Sequence, residues 1–266
     1  MTMKISELID FANQRWPLDA KASWDNPGLA IGSPRSTVNK VLLSVDVTPQ
    51  IIKEAATSGA GLVFSHHPLL LRGVDSVNAE TLKGNVVTSA ITNGIAVFSA
   101  HTNADFASGG VSEVLAKTIG IAPTGPLTSE GDGVVGNLTP QRLVDFARLV
   151  AKLLPSVAQG VLVQGDPERI ISKVGLVAGA GDSYLDAARA AGVDLYITSD
   201  LRHHPASDFR DNAIVSGGPA LMNIAHFSAE WPWLEQAAAE LRKAFPEVEF
   251  VVSELNTDPW DFAVMQ

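Results

Sequence analysis

Short runs of apolar and β-branched residues alternate with helical patterns along this chain, and this alternation limits its fold more than any other feature. Strand-like runs lie at 41–47, 62–64, 95–98, 174–178 and 194–197. Segments between them carry the apolar spacing or the capping residues of helices. Strands that alternate with helices through short turns predict an α/β fold, with at least partly parallel sheets flanked by helices.

One strand–helix–strand pattern occurs twice. Residues 41–68 and residues 174–205 both end in the tripeptide His-His-Pro, and the two copies lie about half the chain apart. The repeat predicts an internal duplication, with two similar α/β lobes, 1–125 and 126–266, that face one another. A segment rich in Gly, Pro, Thr and Ser at 122–136 shows no periodicity, and we interpret it as a linker or a domain boundary.

Composition excludes several classes of protein. The chain has 266 residues and no cysteine, which rules out disulfides, zinc–thiolate sites, iron–sulfur clusters and a cysteine nucleophile. Its formal net charge of -10 argues against general binding to nucleic acid or to anionic membranes, since both need a basic surface. The start lacks the basic and apolar regions of a signal peptide, and no apolar run approaches the length of about 18 residues that spans a bilayer. We therefore expect a cytoplasmic protein.

Histidines form the most informative pattern. The six histidines fall into four clusters, each beside other polar residues. Three clusters lie beyond the carboxyl ends of predicted strands, where ligands gather in open α/β sheets. In the fourth, a histidine and a glutamate four positions apart share one face if the segment is helical. The clusters are His66 with His67, His101 with Asp105, His203 with His204, and His226 with Glu230.

Each cluster alone has a plainer interpretation. Adjacent histidines more often cap or pack, and a His–Glu pair is more often a surface hydrogen bond. Pro232 also allows the pair to straddle a helix start. Together, however, several imidazoles and at least two carboxylates, without a thiolate, are the ligand set of Zn, Mn, Fe, Co or Ni. A bridging carboxylate from Asp105 or Glu230 would allow two ions.

Two further motifs also have plain interpretations. The Gly-Ala-Gly-Asp sequence at 179–182 follows a strand as a phosphate-binding turn does. It lacks the lysine and hydroxyl of a P-loop and the third glycine of a dinucleotide fingerprint, so a tight strand-to-helix turn is the better interpretation. The Trp-Pro-Trp sequence at 231–233 indicates packing at a helix start or a subunit interface rather than an aromatic platform.

The ordered motifs resemble those of the Nif-three-like family of dinuclear-metal-centre proteins, whose members carry the label "GTP cyclohydrolase 1 type 2 homolog". The resemblance covers nearly the whole chain, and six motifs in one order make it far more specific than any single motif. It implies a two-lobed α/β protein that assembles into a toroidal hexamer, with two metal ions per subunit in the cleft between the lobes. The motifs are Trp24-Asp25-Asn26-Pro27-Gly28-Leu29, Ser65-His66-His67-Pro68-Leu69, Ala100-His101-Thr102-Asn103-Ala104-Asp105, Thr198-Ser199-Asp200-Leu201-Arg202-His203-His204, His226-Phe227-Ser228-Ala229-Glu230 and Asn256-Thr257-Asp258-Pro259-Trp260.

The resemblance also implies which residues bind metal. Two of the five implied ligands are returned to the shared site by the C-terminal part, about 220–266, while His101 and the segment 200–204 lie beside the metals. The sequence departs from the usual pattern at Ser199, Asn223 and Ala225, where Gly, Asp and Gly are common, but none of these is an implied ligand. The implied ligands are His66, His67, Asp105, His226 and Glu230.

Two functions are compatible with these ligands. The first is a metal-dependent hydrolase, in which two ions activate a bridging water and His101, His203 or His204 acts as general acid or base. The family label suggests a small-molecule substrate, a nucleotide such as GTP, although a phosphoester would use the same metals. The alternative is a non-enzymatic metal-binding or regulatory interaction protein. An open position between two metals favours catalysis, whereas ligand-saturated ions favour the alternative.

Overall fold

The computed structural model describes residues 2–264, which form a mixed α/β fold. No helix in this part of the chain is long and apolar enough to cross a membrane. The strands are β1 (Met3–Lys4), β2 (Gly28–Ile31), β3 (Thr37–Val38), β4 (Lys40–Ser44), β5 (Leu62–Ser65), β6 (Ala96–Ser99), β7 (Ala122–Gly125), β8 (Val134–Arg142), β9 (Leu162–Gln164), β10 (Ile170–Ala180), β11 (Leu195–Ser199), β12 (Ala220–Asn223) and β13 (Glu249–Val252). The α-helices are α1 (Ile5–Arg15), α2 (Pro49–Ser58), α3 (Leu82–Thr92), α4 (Thr102–Asp105), α5 (Val111–Thr118), α6 (Leu143–Leu153), α7 (Leu185–Ala190), α8 (His203–Ser216) and α9 (His226–Ala244).

The chain divides into two compact units. The first comprises the chain as far as Ala107 together with Leu234–Thr257, and the second comprises Ser108–Trp233 with the described residues from Asp258 onward. This division differs from the predicted lobes 1–125 and 126–266. Side chains from α5 and from the segment before β7 are buried in one core with β10, and β13 pairs in parallel with β4. The residues around position 115 therefore belong with the second unit, and the C-terminal strand returns to the first.

The first unit is built on a five-stranded sheet with the order β13-β4-β5-β6-β2. Strands β13, β4, β5 and β6 are parallel, while β2 pairs antiparallel with β6 at one edge. Every residue of β5 and β6 is buried, and Ile51 of α2 and Val86 of α3 pack in the same core as Val63 of β5. The carboxyl ends of β4, β5 and β6 therefore lie at the same edge of this sheet.

Helix α2 shows how local chemistry sets the element boundaries. The Thr48 hydroxyl accepts a hydrogen bond from the backbone N–H of Ile51 at 3.2 Å, and Pro49 occupies the first helical position. Gly59 ends the helix with a left-handed φ of 76°. Side-chain capping at the start and a left-handed glycine at the end supply partners for backbone groups that a helix leaves unpaired. Both ends of α2 are therefore set by residues that adjoin it in the sequence.

The second unit is built on a six-stranded sheet with the order β7-β8-β10-β11-β12-β9. Its centre, β10-β11-β12, is parallel, and β7, β8 and β9 pair antiparallel. The prediction that 122–136 is a linker was wrong, because β7 and the start of β8 form a strand pair there. Val134, Gly136 and Leu138 alternate with more exposed residues and face the core, a two-residue period that the glycines of this segment obscure.

Both units contain the predicted repeat. Residues 41–68 include the parallel unit β4-α2-β5, and residues 174–205 include the parallel unit β10-α7-β11. Each continues through a further helix, α3 or α8, to a third parallel strand. The two His-His-Pro tripeptides are not equivalent, however. His66 follows β5 directly, whereas Asp200 follows β11 and His203 is the first residue of α8.

Asp194 supplies a pH-dependent contact beside β10. Its carboxylate accepts hydrogen bonds from the backbone N–H groups of Ser172 and Lys173, both at 2.9 Å. Burial by itself raises the pKa of Asp194, but these hydrogen bonds outweigh burial and hold the pKa below its ordinary value of 3.8. A carboxyl whose pKa is lower in the folded than in the unfolded state stabilises the fold above the unfolded pKa, and this contribution is lost as the pH falls through the folded pKa.

We therefore expect Asp194→Asn to lower the free energy of unfolding by about 1–2 kcal/mol at pH 7, because charged acceptors make stronger hydrogen bonds. The difference from the unsubstituted protein should shrink as the pH falls below about 3.8. Urea unfolding followed by circular dichroism at several pH values measures this, with the exposed Asp75→Asn as control. A difference that stays constant across the pH range would show that the charge of Asp194 does not stabilise the fold.

Candidate metal centre

Three histidines of the first unit lie together at the carboxyl edge of its sheet. His66 and His67 follow β5, and His101 follows the neighbouring strand β6. Each of the three offers one ring nitrogen, and these nitrogens all lie within 4.8 Å of one another. The ring centroid of His101 is 5.2 Å from that of His66 and 5.4 Å from that of His67. Parallel pairing of β5 with β6 is what brings the three imidazoles to one point.

The Nδ1 atom of each of these rings contacts a fixed oxygen. His66 Nδ1 lies 3.0 Å from the carbonyl oxygen of Ala100, and His67 Nδ1 lies 2.8 Å from Asp46 Oδ1. His101 Nδ1 lies 2.8 Å from Asp25 Oδ1. Carbonyl and carboxylate oxygens only accept hydrogen bonds, so Nδ1 donates in all three cases. In the neutral rings Nε2 then carries the lone pair, which is the arrangement found in histidines that bind metal.

Asp25 is a buried carboxylate within a dense hydrogen-bond network. Besides His101, its oxygens accept from the Thr102 hydroxyl at 2.5 Å and from the Thr102 N–H at 3.1 Å. Burial raises the pKa of Asp25, but the hydrogen bonds from His101 and Thr102 outweigh it and hold the pKa well below the usual range. Asp25 is therefore ionised, and its fixed negative charge orients the His101 ring.

Asp46 holds His67 in a similar way and is itself held by the C-terminal segment. The Thr257 hydroxyl donates to Asp46 Oδ2 at 2.5 Å, while Asp46 Oδ1 faces His67. The motif at 256–260 thus acts through Thr257 on a carboxylate that lies 211 positions earlier in the chain. A histidine ligand supported by two such layers of hydrogen bonds has little rotational freedom.

Asp105 ends α4 and turns its carboxylate toward the same group of imidazoles. Its Oδ1 lies 3.7 Å from His66 Nε2, the ring nitrogen that does not face the Ala100 carbonyl. Asp105 and His101 are four positions apart, and their spacing along α4 brings an oxygen donor beside nitrogen donors. The first unit therefore contributes three imidazoles and one carboxylate.

A second group lies in the second unit, at the start of α9. His226 is the first residue of this helix, and Glu230 follows one turn later, so their side chains meet with Nε2 and Oε1 2.8 Å apart. Asp200 Oδ2 lies 2.6 Å from His226 Nδ1. Helix α9 thus begins at His226 and continues through Pro232, which resolves the predicted ambiguity about a helix start.

Charge dominates this second group. Burial of His226 lowers the pKa of its imidazole, but the negative charge of Glu230 and the hydrogen bonds with Asp200 and Glu230 outweigh burial and raise the pKa to about 11. In the metal-free protein His226 is therefore an imidazolium between two carboxylates. A divalent cation at Nε2 would have to displace this proton, since a histidine ligand must be neutral.

Backbone geometry around the second group is unusual at two positions. Asp200 has a φ of 54°, and it is the only non-glycine residue of the described chain in the left-handed region. Gly179 has a φ of 77°, and a Cβ there would lie 2.8 Å from Glu230 Oε1 and 3.3 Å from His226 Nε2. The turn at 179–182 leads into a short 3-10 helix and then α7, so the predicted strand-to-helix turn is confirmed, and Gly179 keeps space for the His–Glu pair.

The same spacing occurs after the third parallel strand of each sheet. Ala100-His101-x-x-Ala104-Asp105 follows β6, and Ala225-His226-x-x-Ala229-Glu230 follows β12. In both, an aspartate from elsewhere in the unit holds Nδ1 of the histidine. This repeat is the sequence signal that relates the two groups, and the comparison of His-His-Pro tripeptides missed it. The supporting roles of Asp25, Asp46 and Thr257 were missed too, although Asp25 and Thr257 lie in motifs recognised without a role.

His203 and His204 are placed differently. Both side chains are exposed at the start of α8, with ring centroids 5.1 Å apart. His203 lines a groove with Ser207 and Arg210, and His204 lines a separate one with Asp208. Neither belongs to the groups of metal-ligating atoms found among residues 2–264.

The donor set fits a divalent metal ion. Oriented imidazole nitrogens and carboxylate oxygens suit Zn, Mn, Fe, Co or Ni, and the absence of cysteine from the sequence leaves no competing thiolate. We therefore regard His66, His67, His101 and Asp105 as one candidate group and His226 with Glu230 as another.

Comparisons with known proteins agree with one another. A family model described as Duf34/NIF3 (NGG1p interacting factor 3) matches residues 3–259. The chain is 41% identical to a "GTP cyclohydrolase 1 type 2 homolog" of Streptomyces coelicolor, over 97% of this chain and 93% of the relative. It is 34% identical to a protein of the same name from Clostridium perfringens, over 98% of this chain and 100% of the relative. The crystal structure of Staphylococcus aureus hypothetical protein SA1388 matches with a TM-score of 0.89 at 26% identity, covering 98% of this chain and 99% of that chain.

Removal of one supporting carboxylate tests the candidate centre. We expect Asp46→Ala to weaken binding of Zn²⁺ or Mn²⁺ by about 10- to 100-fold, because His67 loses the acceptor that fixes its ring and tautomer. Isothermal titration of the metal-free protein measures the affinity, and Asp75→Ala, an exposed carboxylate of the same unit, is the matched control. Equal affinity in both variants would contradict a metal-binding role for His67.

Proposed function

The chain belongs to the Duf34/NIF3 family, and on this premise we propose that it is a divalent-metal-dependent hydrolase acting on a nucleotide or another phosphoester. The name of its relatives, which refers to GTP, supports a nucleotide. When bound, two divalent ions supply Lewis-acid activation of a water molecule and of the scissile group. The residues proposed to hold them are His66, His67, Asp105, His226 and Glu230.

Asp25 and His101 carry this proposal. A hydrolase uses a side chain placed for proton transfer, most often an imidazole, whereas a metal store needs none. His101 belongs to the same candidate group as His66 and His67. We assign it proton transfer rather than metal ligation because the family resemblance leaves it out of the ligand set. Because Asp25 accepts the Nδ1 proton, Nε2 of His101 can accept a proton from the attacking water and return it to the leaving group. The ionised Asp25 also stabilises the imidazolium that forms.

We propose a secondary role for His203 and His204. In the proposed hydrolase they face the substrate rather than the ions, since both are exposed at the start of α8. The Arg210 guanidinium beside His203 supports contact with an anionic group of the substrate. As candidate acids or bases they rank after His101, because Asp25 gives His101 a fixed orientation.

Loss of His101 should separate catalysis from metal binding. We expect His101→Ala to lower turnover by about 10²- to 10⁴-fold, the usual contribution of a general acid–base, while the metal content per subunit stays unchanged. Protein loaded separately with Zn, Mn, Fe, Co or Ni is assayed on a panel of nucleotides and phosphoesters, with Asp75→Asn as control. Loss of an ion from His101→Ala would make His101 a ligand. The absence of turnover with every metal and substrate would favour the non-enzymatic metal-binding or regulatory alternative.

Variants of Glu230 and His203 test which of the two residues binds metal and which contacts the substrate. Glu230→Gln keeps the size of the side chain but removes a negative charge that offsets the ions, so we expect at least one ion per subunit to be lost or bound much more weakly. His203→Ala should keep the metal content and change turnover alone. Metal stoichiometry of both variants, measured by elemental analysis, tests the assignment. The site would have to be reassigned if Glu230→Gln kept its ions while His203→Ala lost one.

We also propose a homo-oligomeric state, a hexamer, on the basis of the family resemblance. Light scattering of the purified protein gives its molar mass directly. A monomeric mass would contradict this proposal without affecting the proposed metal ligands.

A further inference from the structure

Trp24 is an exposed aromatic side chain beside the candidate metal centre. Its relative exposure is 63%, whereas Trp16 and Trp233 are buried to about 1%. The centroid of its ring lies 5.9 Å from that of His101, with the ring planes at 74°. With nearly two thirds of its surface exposed, the indole has a face open to solvent next to the imidazole proposed for proton transfer. Ligand sites combine aromatic side chains with a small number of placed polar groups, and Trp24 beside His101 has this combination.

The segment that carries Trp24 is held firmly on both sides. Before it, the Ala22 N–H donates to the Thr102 hydroxyl at 2.9 Å, and the Lys21 ammonium donates to the Asp25 carbonyl at 2.7 Å. After it, Asp25 is anchored by His101 and Thr102, and the Asn26 amide donates to the Leu70 carbonyl at 2.9 Å. These hydrogen bonds hold the backbone on either side of the indole. An aromatic side chain on a held backbone loses little entropy when a ligand binds to it.

A flat, open indole suits one class of ligand best. Nucleobases stack on tryptophan, and each stacked base contributes about 1–3 kcal/mol with little dependence on its identity. The imidazole nitrogens and carboxylate oxygens of the candidate group suit metal ions, whereas the open indole suits a flat ring. A nucleotide would use both features, since its base needs an aromatic face and its phosphates need the divalent ions.

We propose that Trp24 is the base-stacking residue of this site and that the ligand class is a nucleotide. This inference rests on the proposed function, because it takes His101 to lie beside the reacting group. It adds a residue that positions the ligand: Trp24 contacts the base, and His101 and the metal ligands act on the phosphate or ring bond that is cleaved.

Direct binding tests the inference without relying on turnover. Guanosine monophosphate and ribose 5-phosphate are titrated into the full-length protein, with and without Mn²⁺, and the affinity is measured by calorimetry. We expect Trp24→Ala to weaken guanosine monophosphate binding by about 5- to 100-fold and to leave ribose 5-phosphate binding unchanged. Trp24→Phe should retain part of the affinity, because phenylalanine still offers a ring. Phe262→Ala, which removes another exposed aromatic ring, should bind both ligands as the unsubstituted protein does.

Fluorescence gives an independent readout. A stacked base should quench indole emission on binding. The chain has five tryptophans, and the four that remain in Trp24→Phe still fluoresce, but the quenching by nucleotide should be largely lost. Unchanged nucleotide affinity and unchanged quenching in the Trp24 variants would overturn the inference. A change in molar mass of Trp24→Ala, with nucleotide binding intact, would overturn it in favour of a contact between copies of the chain. Base-dependent binding in a protein that hydrolyses nothing would support Trp24 as the stacking residue while the proposed hydrolase fails.

Discussion

Hydrogen bonds from imidazole Nδ1 to fixed oxygen atoms are the interaction on which the rest of the candidate centre depends. His66, His67, His101 and His226 all make one, to a backbone carbonyl or to an aspartate. An unsupported imidazole has two tautomers and a freely rotating ring, so it offers a lone pair in no particular direction. With Nδ1 occupied, each ring presents Nε2, and the free energy of orienting the ligand is supplied by folding rather than by metal binding.

These supports are costly to assemble, and the structure shows how the cost is offset. Asp25 is buried, and a buried carboxylate without partners would be strongly destabilising. Its hydrogen bonds from His101 and Thr102 keep it ionised. Asp200 adopts a left-handed backbone that is unfavourable for a residue with a side chain, and such strain persists where surrounding contacts determine the position. One such contact at Asp200 is the hydrogen bond from His226.

The two candidate metal-ligating groups have the same arrangement of side chains. Each has a histidine at the carboxyl end of the third parallel strand, an acidic residue four positions later, and a more distant aspartate on Nδ1. Their metal-free electrostatics differ, because His226 is held as an imidazolium by Asp200 and Glu230 together. In the second group α9 begins at His226, so Glu230 follows one turn later and its carboxylate meets the ring.

The sequence by itself determined the strand–helix alternation, the ends of α2, and the residue types at the strand ends, because short-range sterics and capping depend on neighbours in the chain. It also identified the ligand-capable residues, since His66, His67 and His101 follow apolar strands that must be buried. Only the tertiary structure decided what holds them. Asp25 contacts His101, which lies 76 positions later, and Thr257 contacts Asp46, which lies 211 positions earlier. The local periodicity of a sequence does not reveal contacts between residues so far apart in the chain. The segment at 122–136 shows the same limit, because β7 and β8 become strands through pairing with each other and with β10, a hydrogen-bond ladder that neither forms alone.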